Sequence, residues 1–180
     1  MALVDLSRQV ALGIDIGGTN TKFGLVNHRG EILSKGNIRT DEYEHVEDFI
    51  DALYDLIQPM IKEHSPNSNF DGIGVGAPNA NYYRGTIEHA PNLRWKGVIN
   101  FAELMSKKFG VPCKMTNDAN AAALGEMMFG AARGMKDFIM ITLGTGVGSG
   151  IISNGQLIYG HDGFAGELGH TIVKPGGRKH

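Results

Sequence analysis

The sequence is short of the residues that staple or anchor a chain. Cys113 is the only cysteine among 180 residues, so no internal disulfide framework is available. No apolar run approaches the roughly 20 residues that a membrane helix needs. The opening MALVDLSRQV also lacks the continuous apolar core of a signal peptide. These absences point to a cytoplasmic protein with no membrane partner. A dominant charge is lacking as well: 17 basic and 19 acidic residues are mixed along the chain, for a formal net charge of -2. No basic stripe follows a phosphodiester backbone, so no nucleic-acid partner is expected. With 42% hydrophobic and 20% charged residues, disordered and collagen-like chains are excluded and one or two small cores are within reach.

Glycine is what the chain has in plenty, with 26 residues, many of them in two clusters. The first lies in GIDIGGTNTK, which begins at Gly13. Residues 10–16 read as a buried strand and 21–27 as a second, with the glycine turn between them. His28, Arg29 and Gly30 then turn the chain into a third strand over 31–39. The second cluster, GTGVGSGIISNGQLIYG, follows an apolar strand over 138–143. Each unit runs apolar strand, Gly/Thr turn, a Gly-aliphatic-aliphatic strand, a Gly-containing turn and another apolar strand. Such a repeat indicates a duplicated supersecondary unit.

Between the clusters, Val46, Phe49, Ile50, Leu53, Leu56, Ile57, Met60 and Ile61 fall at helical spacing, with Pro59 placed to kink or shorten the helix. DGIGVG reads as a strand opening into the loop APNANYYRG, and residues 86–89 as a weak strand before APNLRWKG. Phe101, Leu104, Met105 and Phe109 mark a second helix stopped by Gly110, followed by a strand over 111–116. Asn117 and Asp118 then open an alanine-rich helix. Strands joined by helices in this order indicate an α/β sheet with antiparallel hairpins. A linker-like stretch over 130–136 divides a first lobe, 1–134, from a second, 135–180. The second unit stops soon after its hairpin, so that lobe is either rudimentary or the start of a longer one; a longer protein is the expectation.

Neither glycine cluster is a Walker A loop or a dinucleotide fingerprint, because each turn leads into another strand rather than a helix. A strand-to-strand glycine turn still presents N–H groups to an anion. A bare hairpin is the alternative for one such loop, and finding two of the same construction favours phosphate. Asp15, at the end of an apolar strand, is costly unless partnered. A hydrated Mg²⁺ carried by a nucleotide would partner it; a turn-capping Asp is the alternative. Lys22 fits either a phosphate or solvent. Asn117 or Asp118 fits a helix cap, and Asp118 also fits a base mounted at a helix start.

DIGGTNTK, GVGAPN, NDANAAALGE, ITLGTGVGSGII and GELGH occur in this order, and together they resemble the sugar kinases of the ROK family over nearly the whole chain. The resemblance implies an actin-like, hexokinase-type ATPase fold, with two ribonuclease-H-like lobes holding sugar and ATP in the cleft between them and the second lobe incomplete here. It implies ATP-dependent phosphorylation of a hexose, glucose first among the candidates, at its primary hydroxyl. Asp15, Gly17, Gly18, Thr19, Asn20 and Thr21 then match the first phosphate loop, Gly144, Thr145 and Gly146 the second, and Asp15 serves the Mg²⁺ of ATP. Asp118 matches the catalytic base, and Asn117, Asp118, Glu167 and His170 the sugar contacts. Asn79 and Asn92 either line the sugar site or form turns.

His170 also matches a ligand of the family's structural zinc. The three cysteines that accompany it in a C-x-C-G-x-x-G-C pattern do not occur in this sequence. Structural Zn²⁺ is therefore expected only where the chain continues past His180, and the 180 residues alone are expected to have little or no kinase activity. ROK proteins also include repressors that bind sugar and DNA through a helix-turn-helix ahead of the phosphate loop. Only twelve residues precede Gly13, too few for that module, so the kinase reading is preferred over a repressor or a non-catalytic sugar-binding protein. Homodimers are common in the family, but no interface is readable from these residues.

Overall fold

The computed structural model describes residues 9–65, 70–144 and 146–177. They fall into two compact units, Met1–Asp118 and Ala119–His180.

In the first unit, β1 (Val10–Ile16), β2 (Asn20–Asn27) and β3 (Ile32–Arg39) form an antiparallel meander. β4 (Phe70–Gly76) lies parallel to β1, and β8 (Cys113–Thr116) parallel to β4, giving the order β3-β2-β1-β4-β8. Strand alternation sorts β1 by face: Val10, Leu12, Ile14 and Ile16 are buried, whereas Gly13 and Asp15 are exposed. The exposure of Asp15 corrects the expectation of a costly buried acid, because its face of the strand is open to water.

Helix α1 (Val46–His64) contributes Val46, Phe49, Ile50, Leu53 and Ile57 to the core of this unit. Pro59 lies inside α1 without ending it. Its missing N–H leaves the Asp55 carbonyl unbonded, and both residues are exposed, so water can replace the lost partner. Helix α2 (Phe101–Phe109) ends at Gly110, whose φ of 73° supplies the left-handed cap that an L side chain adopts at a cost. Trp95 is buried with its ring centroid 4.8 Å from Phe49 and 6.2 Å from Phe101, and its Nε1–H donates to the Tyr43 carbonyl at 3.2 Å. Three short strands, β5 (Ala80–Asn81), β6 (Thr86–Glu88) and β7 (Val98–Ile99), make a second small sheet. Of these only β6 is readable in the sequence, since two residues show no alternation.

In the second unit, β9 (Phe138–Leu143), β10 (Val147–Ser153) and β11 (Gln156–Leu157) form another antiparallel meander, in the order β11-β10-β9. It repeats the strand order of β1 to β3, as the paired glycine clusters lead one to expect. Asn154 and Gly155, with φ of 52° and 72°, make the tight turn from β10 to β11. Helix α3 (Asp118–Phe129) starts on the last residue of the first unit and continues through the second. Its alanines meet glycines of β10: a Cβ on Gly150 would lie 2.6 Å from the Ala123 Cβ, and one on Gly148 3.1 Å from the Ala119 Cβ. That close approach packs α3 on β10 within the second unit. No helix among the described residues is long and apolar enough to cross a membrane.

Candidate functional site

Strand register assembles the first part of the site. Asp15 pairs with Gly76, and Gly76 with Thr116, so the ends of β1, β4 and β8 stand in one row. With neighbouring strands about 4.8 Å apart, Asp15 and Thr116 are about 10 Å apart across that row. Asn117 and Asp118 follow Thr116 directly, Ala77 to Asn79 follow Gly76, and the turn 17–20 follows β1. Carboxyl ends of parallel strands are where α/β sheets carry their ligands, and there this chain places its glycine turn, two asparagines and an acid.

The turn is shaped by its own hydrogen bonds. The Gly17 N–H donates to the Asn20 carbonyl at 3.0 Å, so it is spent inside the turn. Gly18 and Thr19 offer the N–H groups that an anion can use. A Cβ on Gly18 would lie 2.7 Å from the Asn92 carbonyl oxygen, so the absence of a side chain there lets the 90–97 loop close on the turn. Asn92 is exposed beside it. Thr19 and Asn20 are exposed, but Thr21 is fully buried, and its hydroxyl shares a 2.8 Å hydrogen bond with that of Thr40. Lys22 pairs with Asp15 across the hairpin, on the same open face.

Of the asparagines, Asn79 sits at a φ of 52° and donates its side-chain amide to the Glu88 carbonyl at 3.0 Å. That donor is committed to holding its own loop, which favours the turn-forming alternative. Asn117 is buried, and Asp118 is exposed at the first residue of α3.

In the second unit the β9–β10 turn carries Gly144 and Gly146, both exposed, with the Gly144 N–H donating to the Gly146 carbonyl at 3.0 Å. Thr145 lies outside the described residues. Glu167 and His170 flank a single 3-10 turn, Leu168–His170. The His170 N–H donates to the Glu167 carbonyl at 3.1 Å, and His170 Nε2 stands 3.9 Å from Glu167 Oε2. The three-residue spacing does bring the two side chains together. The segment is tied to β10 by the Ser149 hydroxyl, which donates to the Gly166 carbonyl.

A closed zinc site needs four ligands. Glu167 and His170 supply two groups, and no cluster of three or more His, Cys, Asp or Glu suited to a metal occurs among the described residues. Cys113 is buried in the first unit and is not near enough in the chain to be recruited as a set. The described residues therefore do not make a zinc site, and none of the chemistry below passes through one.

The ROK family profile matches residues 11–179. A glucokinase of Halalkalibacterium halodurans is 38% identical over 168 residues, which are 92% of this chain and 51% of that protein. A xylose repressor of Caldicellulosiruptor bescii is 36% identical over 165 residues, 90% of this chain and 41% of that protein. The structure of a ROK family glucokinase from Streptomyces griseus, in complex with glucose and AMPPNP, superposes with a TM-score of 0.74 at 38% identity, covering 92% of this chain and 51% of that one. The chain thus spans about half the length of the curated glucokinases it matches. With its motifs at the strand ends described and the profile matched from end to end of them, the chain belongs to the ROK family and has the α/β, actin-like ATPase fold of its sugar kinases.

Proposed function

We propose that this chain is part of an ATP-dependent hexose kinase, with glucose as the first candidate acceptor. One observation supports the reading: an exposed carboxylate, Asp118, opens a helix at the same strand-end row from which the glycine turn 17–20 leaves β1. Transfer of a phosphoryl group to an alcohol requires those two parts, a base for the hydroxyl and donors for the phosphate.

In this reading the Gly18 and Thr19 N–H groups hold phosphate oxygens of ATP, and the β9–β10 turn at Gly144 and Gly146 is a second phosphate loop. Asp15 would face the hydrated Mg²⁺ of the nucleotide, which would supply charge neutralisation at the phosphates. Asn117, Glu167 and His170 hydrogen-bond sugar hydroxyls. Asp118 accepts the proton of the primary hydroxyl as its oxygen bonds to the γ-phosphorus; the bond from that phosphorus to the β–γ bridging oxygen breaks, and ADP leaves.

The test is turnover with glucose and MgATP by a form extended beyond His180, with and without Asp118→Asn. Loss of the base is expected to cost roughly 100- to 10,000-fold in kcat, with glucose affinity kept within about twofold. Equal turnover by the variant would remove Asp118 from its role. A second reading, sugar sensing without catalysis, is favoured by the identity to a xylose repressor; absence of turnover in the extended form, with sugar binding retained, would establish it instead.

A further inference from the structure

Thr40 belongs to none of the motifs that mark the site, yet it hydrogen-bonds the glycine turn from outside it. It follows β3 directly and is 3% exposed. Its backbone N–H donates to the Thr19 carbonyl at 2.9 Å, and its hydroxyl shares the 2.8 Å bond with Thr21. Its own carbonyl accepts from Tyr43 at 3.3 Å, at the start of the segment leading into α1. Every hydrogen-bonding group of Thr40 is thereby used, two of them on residues that bracket Asn20.

The geometry has a direct consequence for an anion. A trans peptide holds its C=O and its N–H on opposite sides, and the chain has no cis peptide among the described residues. Holding the Thr19 carbonyl on Thr40 therefore directs the Asn20 N–H away from Thr40 and fixes the plane of the Thr19–Asn20 peptide, which anchors the residue whose own N–H the nucleotide reading uses. The buried hydroxyl pair then prevents β2 from rolling, because turning Thr21 would strand two hydroxyls in an apolar surround.

We propose that Thr40 is a positioning residue that sets the peptide orientation of the 17–20 turn, and so its affinity for the phosphates of a nucleotide. The inference rests on the nucleotide reading above only for its ligand; the positioning of the turn stands apart from it. Wild type, Thr40→Ser, Thr40→Val and Thr21→Ala, each in the form extended beyond His180, are compared by amide hydrogen exchange and by titration with MgATP and with glucose. Thr40→Ser keeps the hydroxyl and is expected to retain slow exchange at the hydrogen-bonded N–H groups of Gly17 and residue 40 and MgATP affinity within about twofold. Thr40→Val and Thr21→Ala each remove the hydroxyl bond, from opposite sides. Both are expected to speed exchange at Gly17 and at residue 40 at least tenfold and to weaken MgATP by a similar factor, with glucose affinity and exchange in α1 and α2 unchanged.

Unchanged exchange at the turn in whichever of these two variants folds would overturn the proposal, as would equal loss of protection throughout the unit. If wild type binds no MgATP but the exchange pattern holds, the nucleotide reading fails while the positioning of the turn is retained. If MgATP binds equally to all four, the link between Thr40 and the ligand is refuted.

Discussion

Asp15 stands on the open face of β1 with Lys22 opposite it. A carboxylate already in water contributes little to folding, so Asp15→Asn is expected to change stability by no more than about 0.5 kcal/mol, while MgATP affinity falls. Thermal unfolding and nucleotide titration of the one variant separate the two effects; a large drop in stability would return Asp15 to a structural role. Cys113 is the opposite case. Burial pushes its thiol up to about 12, whereas an unfolded cysteine ionises near pH 8.5, at about the value of the free side chain. The stabilisation from the neutral buried thiol is thus fully present below about pH 8.5 and drains away as pH rises towards the folded value. Denaturant midpoints for wild type and Cys113→Ala should therefore converge as the pH becomes alkaline; a constant gap would mean that the thiol is not shielded.

The packing of α3 on β10 is governed by missing side chains. A Cβ on Gly150 would also lie 3.0 Å from the Ala119 carbonyl oxygen, and neither backbone nor a buried alanine can move aside cheaply. Gly150→Ala is expected to destabilise the second unit by about 1–3 kcal/mol, read as faster exchange in β9 and β10 with the first unit unaffected. Such an element was legible in outline. The alanine run and the Gly-aliphatic-aliphatic strands are visible in the sequence, and so are β1 to β4, β9 and β10, because short apolar runs bounded by glycine-rich turns read as strands. The helical faces of α1 and α2 were legible for the same reason, at a period of 3.6.

What could not be read has physical causes. β5 and β7 are two residues long and depend on partners elsewhere in the chain. The exposure of Asp15 depends on which face of the sheet is covered, a tertiary fact that a strand pattern does not contain. The glycine turn and Asp118 were recognisable as motifs, but Thr40 was not: a threonine after a strand carries no signal until Thr19 and Thr21 are brought beside it.

At the scale of the molecule the two units are unequally built. The first encloses a continuous core running from Val10 to Met115, whereas among the described residues the second buries only Ala123, Ile152 and Leu157 within its own cluster. In the second unit Ile139, Ile141, Leu143 and Val147 are exposed on neighbouring strands. Area removed from water is the main favourable term in folding, so the second unit is expected to open first. Hydrogen exchange in β9 to β11 should run well ahead of that in β1, β4 and β8; equal rates would argue for one cooperative body.

The chain's one tryptophan is Trp95, enclosed between Phe49 and Phe101 in the first unit. Intrinsic indole emission is consequently a built-in reporter for the first unit, blind to events in the second. Followed during denaturation beside a far-ultraviolet dichroism signal, to which both units contribute, its wavelength shift will lag the loss of ellipticity if the units melt separately and coincide with it if they do not.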